Sequence, residues 1–253
     1  MTQRVLITAG AGGIGLAIAK AFVADGARVH IADVNAEAVQ DITRQHPTIS
    51  GTVGDLSEPT SLNRLFDDVH QQLGGLDVLV NNAGIAGATA PVADYPVDTW
   101  NAVVNLNLTA TFMVTQRAIP LLKESAAGSI LVMSSLAGRF GYPNRVAYST
   151  TKWGLVGFTK TLSLELGTFG ITANSIHPGA VDGPRLKAVF EGRAEVSGNS
   201  VEQEVDLAMA NQAVKKFVDP ADIAALAVFL AGPHARSISG QMFPIDGDSK
   251  AAS

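Results

Sequence analysis

Tyr148 and Lys152 are the pair of side chains in this 253-residue sequence best suited to moving a proton. They bracket Tyr148-Ser-Thr-Thr-Lys152 in a segment of helical periodicity, where a spacing of four puts phenol and ammonium on one face. A phenol titrates near ~10 and must ionise about 3 pH units lower, a difference of about 4 kcal/mol, to act as a base near neutrality. A close ammonium supplies part of that difference. Taken alone, a tyrosine four residues before a lysine is also an ordinary surface pair on a helix. Ser135 stands 13 residues before Tyr148, at the carboxyl end of a predicted strand from Ser129 to Ser134. Open α/β sheets gather ligands at that end, and a hydroxyl there can hold a substrate oxygen.

A second cluster lies near the N-terminus. Thr8-Ala-Gly-Ala-Gly-Gly-Ile-Gly15 follows the first apolar run, and a helix begins within it. Gly10, Gly12, Gly13 and Gly15, with Ile14 among them, let backbone N–H groups approach a pyrophosphate at the positive end of that helix. A tight strand-to-helix turn wants glycine as well. Asp33 ends the second strand 18 residues after Gly15, close to where a dinucleotide fold places the carboxylate that accepts from the adenosine ribose hydroxyls. The plainer role for Asp33 is to cap the next helix, which Asn35 can do instead.

These residues need a scaffold, and the hydrophobic pattern supplies one. Short β-branched runs recur at Arg4 to Ala9, Arg28 to Ala32, Ile49 to Val53, Leu76 to Val80, Ser129 to Ser134, Ile171 to Ile176 and Gln241 to Ile245, with amphipathic segments between them. Alternation of this kind predicts an α/β, doubly wound parallel sheet of about seven strands with helices on both faces. Ile14, Ala17, Ile18, Ala21 and Phe22 mark the first helix, and Gly26 is placed to end it. Neither a repeat nor a break in composition divides the chain, so residues 1–253 read as one domain. Gly183 to Val201 shows no clear pattern, and about 183–215 is read as a variable substrate loop.

Composition excludes several classes of function. Apolar residues make up 47% and charged residues 16%, the balance of a globular enzyme. A net charge of -5 offers no basic excess for nucleic acid. There is no cysteine, and His30, His46, His70, His177 and His234 lack ligand spacing, so no metal site is expected. The start of the chain lacks signal-peptide features, and no apolar stretch reaches the ~20 residues of a membrane span, so a cytoplasmic location is expected.

With these motifs in place, the chain resembles the short, single-domain type of short-chain dehydrogenase/reductase over essentially its whole length. The family's Tyr-x-x-x-Lys pair falls on Tyr148 and Lys152, and its serine on Ser135. Its fourth catalytic residue falls on Asn107 in Trp100-Asn-Ala-Val-Val-Asn-Leu-Asn107, where the count from Trp100 favours Asn107 over Asn105. Its Asn-Asn-Ala-Gly sequence is Asn81 to Gly84. The resemblance implies NAD as cofactor, held by the glycine turn, Asp33, Tyr148 and Lys152. By the same resemblance Asp55 would reach the adenine, Asn81 would support cofactor and central sheet, and Pro178-Gly179 would begin the nicotinamide-side loop. Leu56, Ala83, Gly84 and Val181 would lie against the same cofactor. Two positions depart from the pattern: Ala9 replaces the first glycine of the signature, and Gly183 replaces a threonine that contacts the nicotinamide amide.

The implied reaction passes a hydride between nicotinamide and an alcohol or ketone carbon. Ser135 and Tyr148 would bind the substrate oxygen, with Tyr148 as acid/base. Lys152 would favour the phenolate and bind the ribose, and Asn107 would position a relay water. Asp33 implies a preference for NAD over NADP, because it would face the extra ribose phosphate. Trp153, Leu155, Val156, Phe158, Leu162, Leu164 and Leu166 make one helix apolar nearly all round, which points to a homotetramer. Arg145 and Arg185 are candidates for binding a small polar substrate with a carboxylate, and pairing with surface glutamates is the alternative for both. A family member with non-redox chemistry and a non-catalytic NAD-sensing protein remain alternatives, although none of the four catalytic residues is missing.

Overall fold

The computed structural model describes residues 2–252, apart from the side chains of Pro184 and Arg185. The expectation that Arg185 reaches the pocket therefore falls outside the described residues.

Strand and helix alternate as β1 (Arg4–Thr8), α1 (Gly13–Ala24), β2 (Arg28–Asp33), α2 (Ala36–Gln45), β3 (Ile49–Val53) and α3 (Pro59–Leu73). The second half runs through β4 (Val78–Asn81), α4 (Val97–Val104), α5 (Thr111–Lys123), β5 (Ser129–Met133), α6 (Val146–Leu166) and β6 (Thr172–Pro178). It ends with α7 (Pro184–Ser197), α8 (Val201–Ala210), α9 (Pro220–Ala231) and β7 (Met242–Ile245). All strands pair in parallel in the order β3-β2-β1-β4-β5-β6-β7. This is the expected seven-stranded sheet, with ends shifted by a residue or two. After β3 the chain crosses to the other side of β1. The direction of winding reverses between β1 and β4, and a crevice opens there at the carboxyl ends of the strands.

The two faces of the sheet explain the unbroken apolar runs. Val5, Ile7, Leu131 and Met133 pack with α1, α2 and α9, while Leu6, Ile130 and Val132 pack with α3, α5 and α6. A central strand covered on both faces has no polar side to show. Gly26 follows the end of α1 in the left-handed conformation at φ 85, as its position predicts.

One segment differs from the sequence reading. The stretch expected as a variable loop at 183–215 is largely helical, built from α7 and α8. Its periodicity is faint because the apolar side chains of α7 serve a cavity rather than the sheet, but Gly198 ends the helix at φ 78 and Ser200 opens α8 with a capping box. Between β4 and β5, helices α4 and α5 are joined by a π-helical turn at Asn105–Ala110. There the Thr111 hydroxyl donates to the Asn107 carbonyl at 2.9 Å. Among the described residues no helix is long and apolar enough to cross a membrane.

Candidate active site

A cavity of about 470 Å³ opens at the switch in winding, and it brings together residues far apart in the chain. Gly12, Gly13 and Ile14 line it beside Gly84, Ser135, Tyr148, Lys152, Pro178, Gly179 and Val181.

At the β1 side, the glycines divide into two roles. A Cβ on Gly10 would press into Ile31 at 2.6 Å, and one on Gly15 would collide with the carbonyl of Ala9 and with Asn82. Those two glycines let α1 sit tightly on the sheet. Gly12 and Gly13 would meet nothing within 4 Å, so their backbone faces open space. Gly12 caps α1 without a side-chain bond to the first turn, and α1 has no acidic residue there. An uncapped helix end in a bare glycine turn fits a diphosphate, whose oxygens would accept from the N–H groups the helix leaves unpaired. Ala9, where the family signature has glycine, is held at φ 50, in the region that favours glycine.

The carboxylate of Asp33 accepts from Ala11 N and Asn35 N, both at 3.1 Å. Asn35 caps α2 by accepting from Ala38 N at 3.0 Å, so Asp33 is not needed as that cap. Its bond to Ala11 fixes the carboxylate against the glycine turn, where a ribose diol would approach. Asp55 accepts from the backbone and hydroxyl of Ser57, and Asp33, Asp55 and the buried Leu56 all stand outside the lining of the cavity. Asn81 donates to Thr115 on α5 at 2.9 Å and thereby ties β4 to that helix. Support of the glycine turn falls on its neighbours. Asn82 donates to the carbonyls of Thr8 and Ala9, and the N–H groups of Asn82 and Ala83 donate to the Thr8 hydroxyl. Sequence reasoning passed over Thr8, although a threonine at a strand end facing Asn-Asn was the available signal.

On the other side, α6 buries Thr151, Leu155, Thr159, Leu162 and Leu166 against the sheet, and this stripe turns the neighbouring Tyr148 toward the cavity. Lys152 is buried, donates from Nζ to the Met133 carbonyl at 2.7 Å, and lies 5.6 Å from the centre of the Tyr148 ring. Ser134 donates to the Lys152 carbonyl at 2.9 Å, joining the end of β5 to α6. Gly138 passes so close that an added Cβ would stand 2.7 Å from that same carbonyl oxygen. The Ser135 hydroxyl oxygen accepts from Ala137 N at 3.2 Å, which leaves its hydrogen to donate.

His177, which sequence reasoning left without a role, holds Ser135 from behind. Its Nδ1 lies 3.0 Å from the Ser135 carbonyl, which can only accept, so the proton sits on Nδ1. Nε2 then accepts from the Ser175 hydroxyl at 2.8 Å. Burial pushes the His177 pKa down to about 4, helped by the Arg139 and Lys152 cations and opposed by the bond to Ser135. The neutral ring is the state that makes both bonds.

Asn107 does not line the cavity. Its amide accepts from Ile85 N at 2.8 Å and donates to Ile85 O at 3.0 Å and to the Thr151 hydroxyl at 3.1 Å. Both polar atoms of the amide are engaged, so the side chain of Asn107 clamps α6 to the wall formed by Gly84 and Ala86. Arg145 is 4% exposed, donates to Thr89 at 2.8 Å, and lies 6.0 Å from the Tyr148 ring centre. The segment after β6 is pinned by Gly179 N donating to Ile245 O at 3.0 Å and by Val181 pairing with Val218. Gly183 adopts φ 143, a conformation in which a threonine would be strained.

The parallel sheet, the glycine turn at its switch point, and the Ser, Tyr and Lys brought to one cavity define a nicotinamide-type oxidoreductase site. A family model described as enoyl-(acyl carrier protein) reductase matches residues 9–247, and the chain belongs to the short-chain dehydrogenase/reductase family. It is 36% identical over 250 residues to the D-beta-hydroxybutyrate dehydrogenase of Cupriavidus necator, covering 97% of this chain and 96% of that one. It is also similar to the crystal structure of an NAD+-bound xylitol dehydrogenase, with a TM-score of 0.93, 28% identity, and coverage of 97% of this chain and 98% of that one. A third likeness is to the crystal structure of a substituted actinorhodin polyketide ketoreductase with NADPH, with a TM-score of 0.92, 31% identity, and coverage of 97% and 96%. The chain is an oxidoreductase of the secondary alcohol and ketone class.

Proposed function

We propose that this protein is an NAD-dependent dehydrogenase or ketone reductase that uses Tyr148 as acid/base on a small secondary alcohol. The observation that carries the reading is the shared cavity: the open backbone of Gly12 and Gly13 lines it together with Ser135, just past the carboxyl end of β5, and Tyr148 and Lys152, in the first turns of α6. Bound NAD would supply the hydride acceptor, and its reduced form the donor. The diphosphate would rest on the glycine turn and the adenosine ribose on Asp33. Ser135 donates to the substrate oxygen, and Tyr148 takes its proton in oxidation or returns it in reduction. The Lys152 ammonium, fixed by Met133, and the Arg145 guanidinium both stand at the Tyr148 ring and favour the phenolate. Asn107, through Ile85, and His177, through Ser135, hold the walls in place.

NAD is preferred over NADP in this reading because Asp33 would repel a ribose phosphate. A cytoplasmic homotetramer is the assembly proposed. Among substrate classes, a hydroxy acid is supported by the name of the Cupriavidus relative. The test is to follow nicotinamide absorbance with NAD and with NADP across sugars, polyols, hydroxy acids and secondary alcohols. Reduction of NAD by at least one class, with NADP at least about ten-fold less efficient, is expected. Turnover of none of them with either cofactor would overturn the reading.

A further inference from the structure

Beyond the proton-handling groups, the same cavity carries a cationic and aromatic wall in which Tyr142, Phe190 and Arg193 have no part in the reaction proposed above. Tyr142, in the connection from β5 to α6, lies near two guanidinium groups. Arg145 lies 5.7 Å and Arg193, on α7, 5.3 Å from the centre of its ring. Arg193 donates to the Tyr142 hydroxyl and also lies 5.4 Å from the ring of Phe190. All four side chains line the cavity with Tyr148. Its described lining holds three cations, Arg145, Lys152 and Arg193, against one carboxylate, the exposed Asp182, in a chain of net charge -5.

We infer that this wall recognises a carboxylate on the substrate, with Arg193 as its main donor and Tyr142 setting its position. The inference rests on the redox reading above and adds to it the substrate class. Arg193 spends one of its five N–H donors on Tyr142, and among the described residues no carboxylate comes within 4.0 Å of it. Glu204, whose charge it feels, is engaged instead by Ser197 and Asn199 at 2.7 and 2.8 Å. The bond to Tyr142 anchors the guanidinium and leaves its remaining donors for a planar two-oxygen acceptor. The walls beside it, from Leu186, Val189 and Phe190, are apolar, so a charge entering there loses water and depends on the arginine. Arg145 lies between this wall and Tyr148. Arg193, Arg145 and Tyr148 line one cavity, so a molecule whose carboxylate is held at Arg193 shares that space with the acid/base. Arg145 also borders a neighbouring cavity of about 300 Å³ that contains Glu195, which makes Arg193 the cleaner residue to change.

The test measures binding apart from turnover. Calorimetric titration of the NAD-saturated protein with butyrate, which cannot be oxidised at a carbinol, is compared with titration by the isosteric butyramide. Butyrate should bind at least about ten-fold more tightly than butyramide, and Arg193→Met should remove at least about ten-fold of the butyrate affinity. Arg193→Lys, which keeps the charge but loses the planar fork, should fall between, and Tyr142→Phe should weaken butyrate without altering the affinity for NAD. Equal binding of acid and amide, or unchanged butyrate affinity in a folded Arg193→Met, would overturn the inference. In parallel, 2- and 3-hydroxybutyrate and their amides are tested for nicotinamide reduction. Butyrate binding that depends on Arg193 without reduction by any of these alcohols would count against the redox reading and leave the carboxylate site standing.

Discussion

At the scale of single residues, Tyr148 and Asp33 carry separable parts of the proposed reaction. Tyr148→Phe keeps the ring that Lys152 and Arg145 approach and removes only the hydroxyl. Turnover should fall by about 10²–10⁴, the range for loss of a general acid/base, while NAD affinity stays within a few-fold. Steady-state rates and a cofactor titration check both, and near-normal turnover would remove Tyr148 from the chemistry. Asp33→Ala removes the negative charge beside the ribose, so the ratio of kcat/KM for NAD over NADP should narrow by at least about ten-fold. NAD affinity should fall as well, because the same carboxylate holds Ala11 in the glycine turn. A wild-type protein that uses NADP as efficiently as NAD would show that the carboxylate does not face the ribose.

At the scale of elements, the connection from β1 to α1 stores a local strain that can be measured. An alanine at φ 50 costs about 1 kcal/mol, and glycine there relieves it but adds roughly 0.4–1 kcal/mol of unfolded-state entropy. Ala9→Gly should therefore leave stability unchanged or raise it by up to about 0.6 kcal/mol. Ala19→Gly, inside α1 and buried, should lower stability by about 1 kcal/mol or more. Urea unfolding compares the two, and a loss above about 1 kcal/mol for Ala9→Gly would contradict the strain argument. The π-helical turn at Asn105–Ala110 belongs to this scale too: it presents Asn107 to Ile85 and Thr151 at once, a juncture that a regular repeat of four does not mark in advance.

At the scale of the whole molecule, both charge and apolar surface have consequences. His30 and His177 are each buried, with pKa pushed down by that burial from 6.5 to about 4. A folded value below the unfolded one means the contribution is whole above about pH 6.5 and is lost as pH falls toward 4. The loss is at most about 3 kcal/mol for each residue. Unfolding free energy should therefore drop by several kcal/mol between pH 7 and pH 4.5, and His30→Gln should flatten that slope. An identical slope in the variant would exclude His30 from the effect. Phe112 on α5 and Leu164 on α6 are 50% and 83% exposed in the single chain. Burial of these helices between subunits should make the protein sediment as a tetramer at micromolar concentration, and Leu164→Glu should dissociate it without lowering the melting temperature of the subunit. A monomeric wild-type protein would refute the assembly.

What could be read from the amino-acid order was what local spacing controls. Apolar runs gave the seven strands, glycine spacing marked the β1–α1 turn, and an interval of four placed Tyr148 and Lys152 together, because strand pleat and helix repeat act over a few residues. The rest depended on which strand ends lie side by side. Only the placement of β6 beside β5 sets His177 against Ser135, 42 residues away. Only the fold of α7 over the cavity sets Arg193 against Tyr142, 51 residues away. The helical form of 184–197 was hidden for the same reason: its apolar side chains answer to a cavity made by other elements, so they leave no clean periodicity along their own segment.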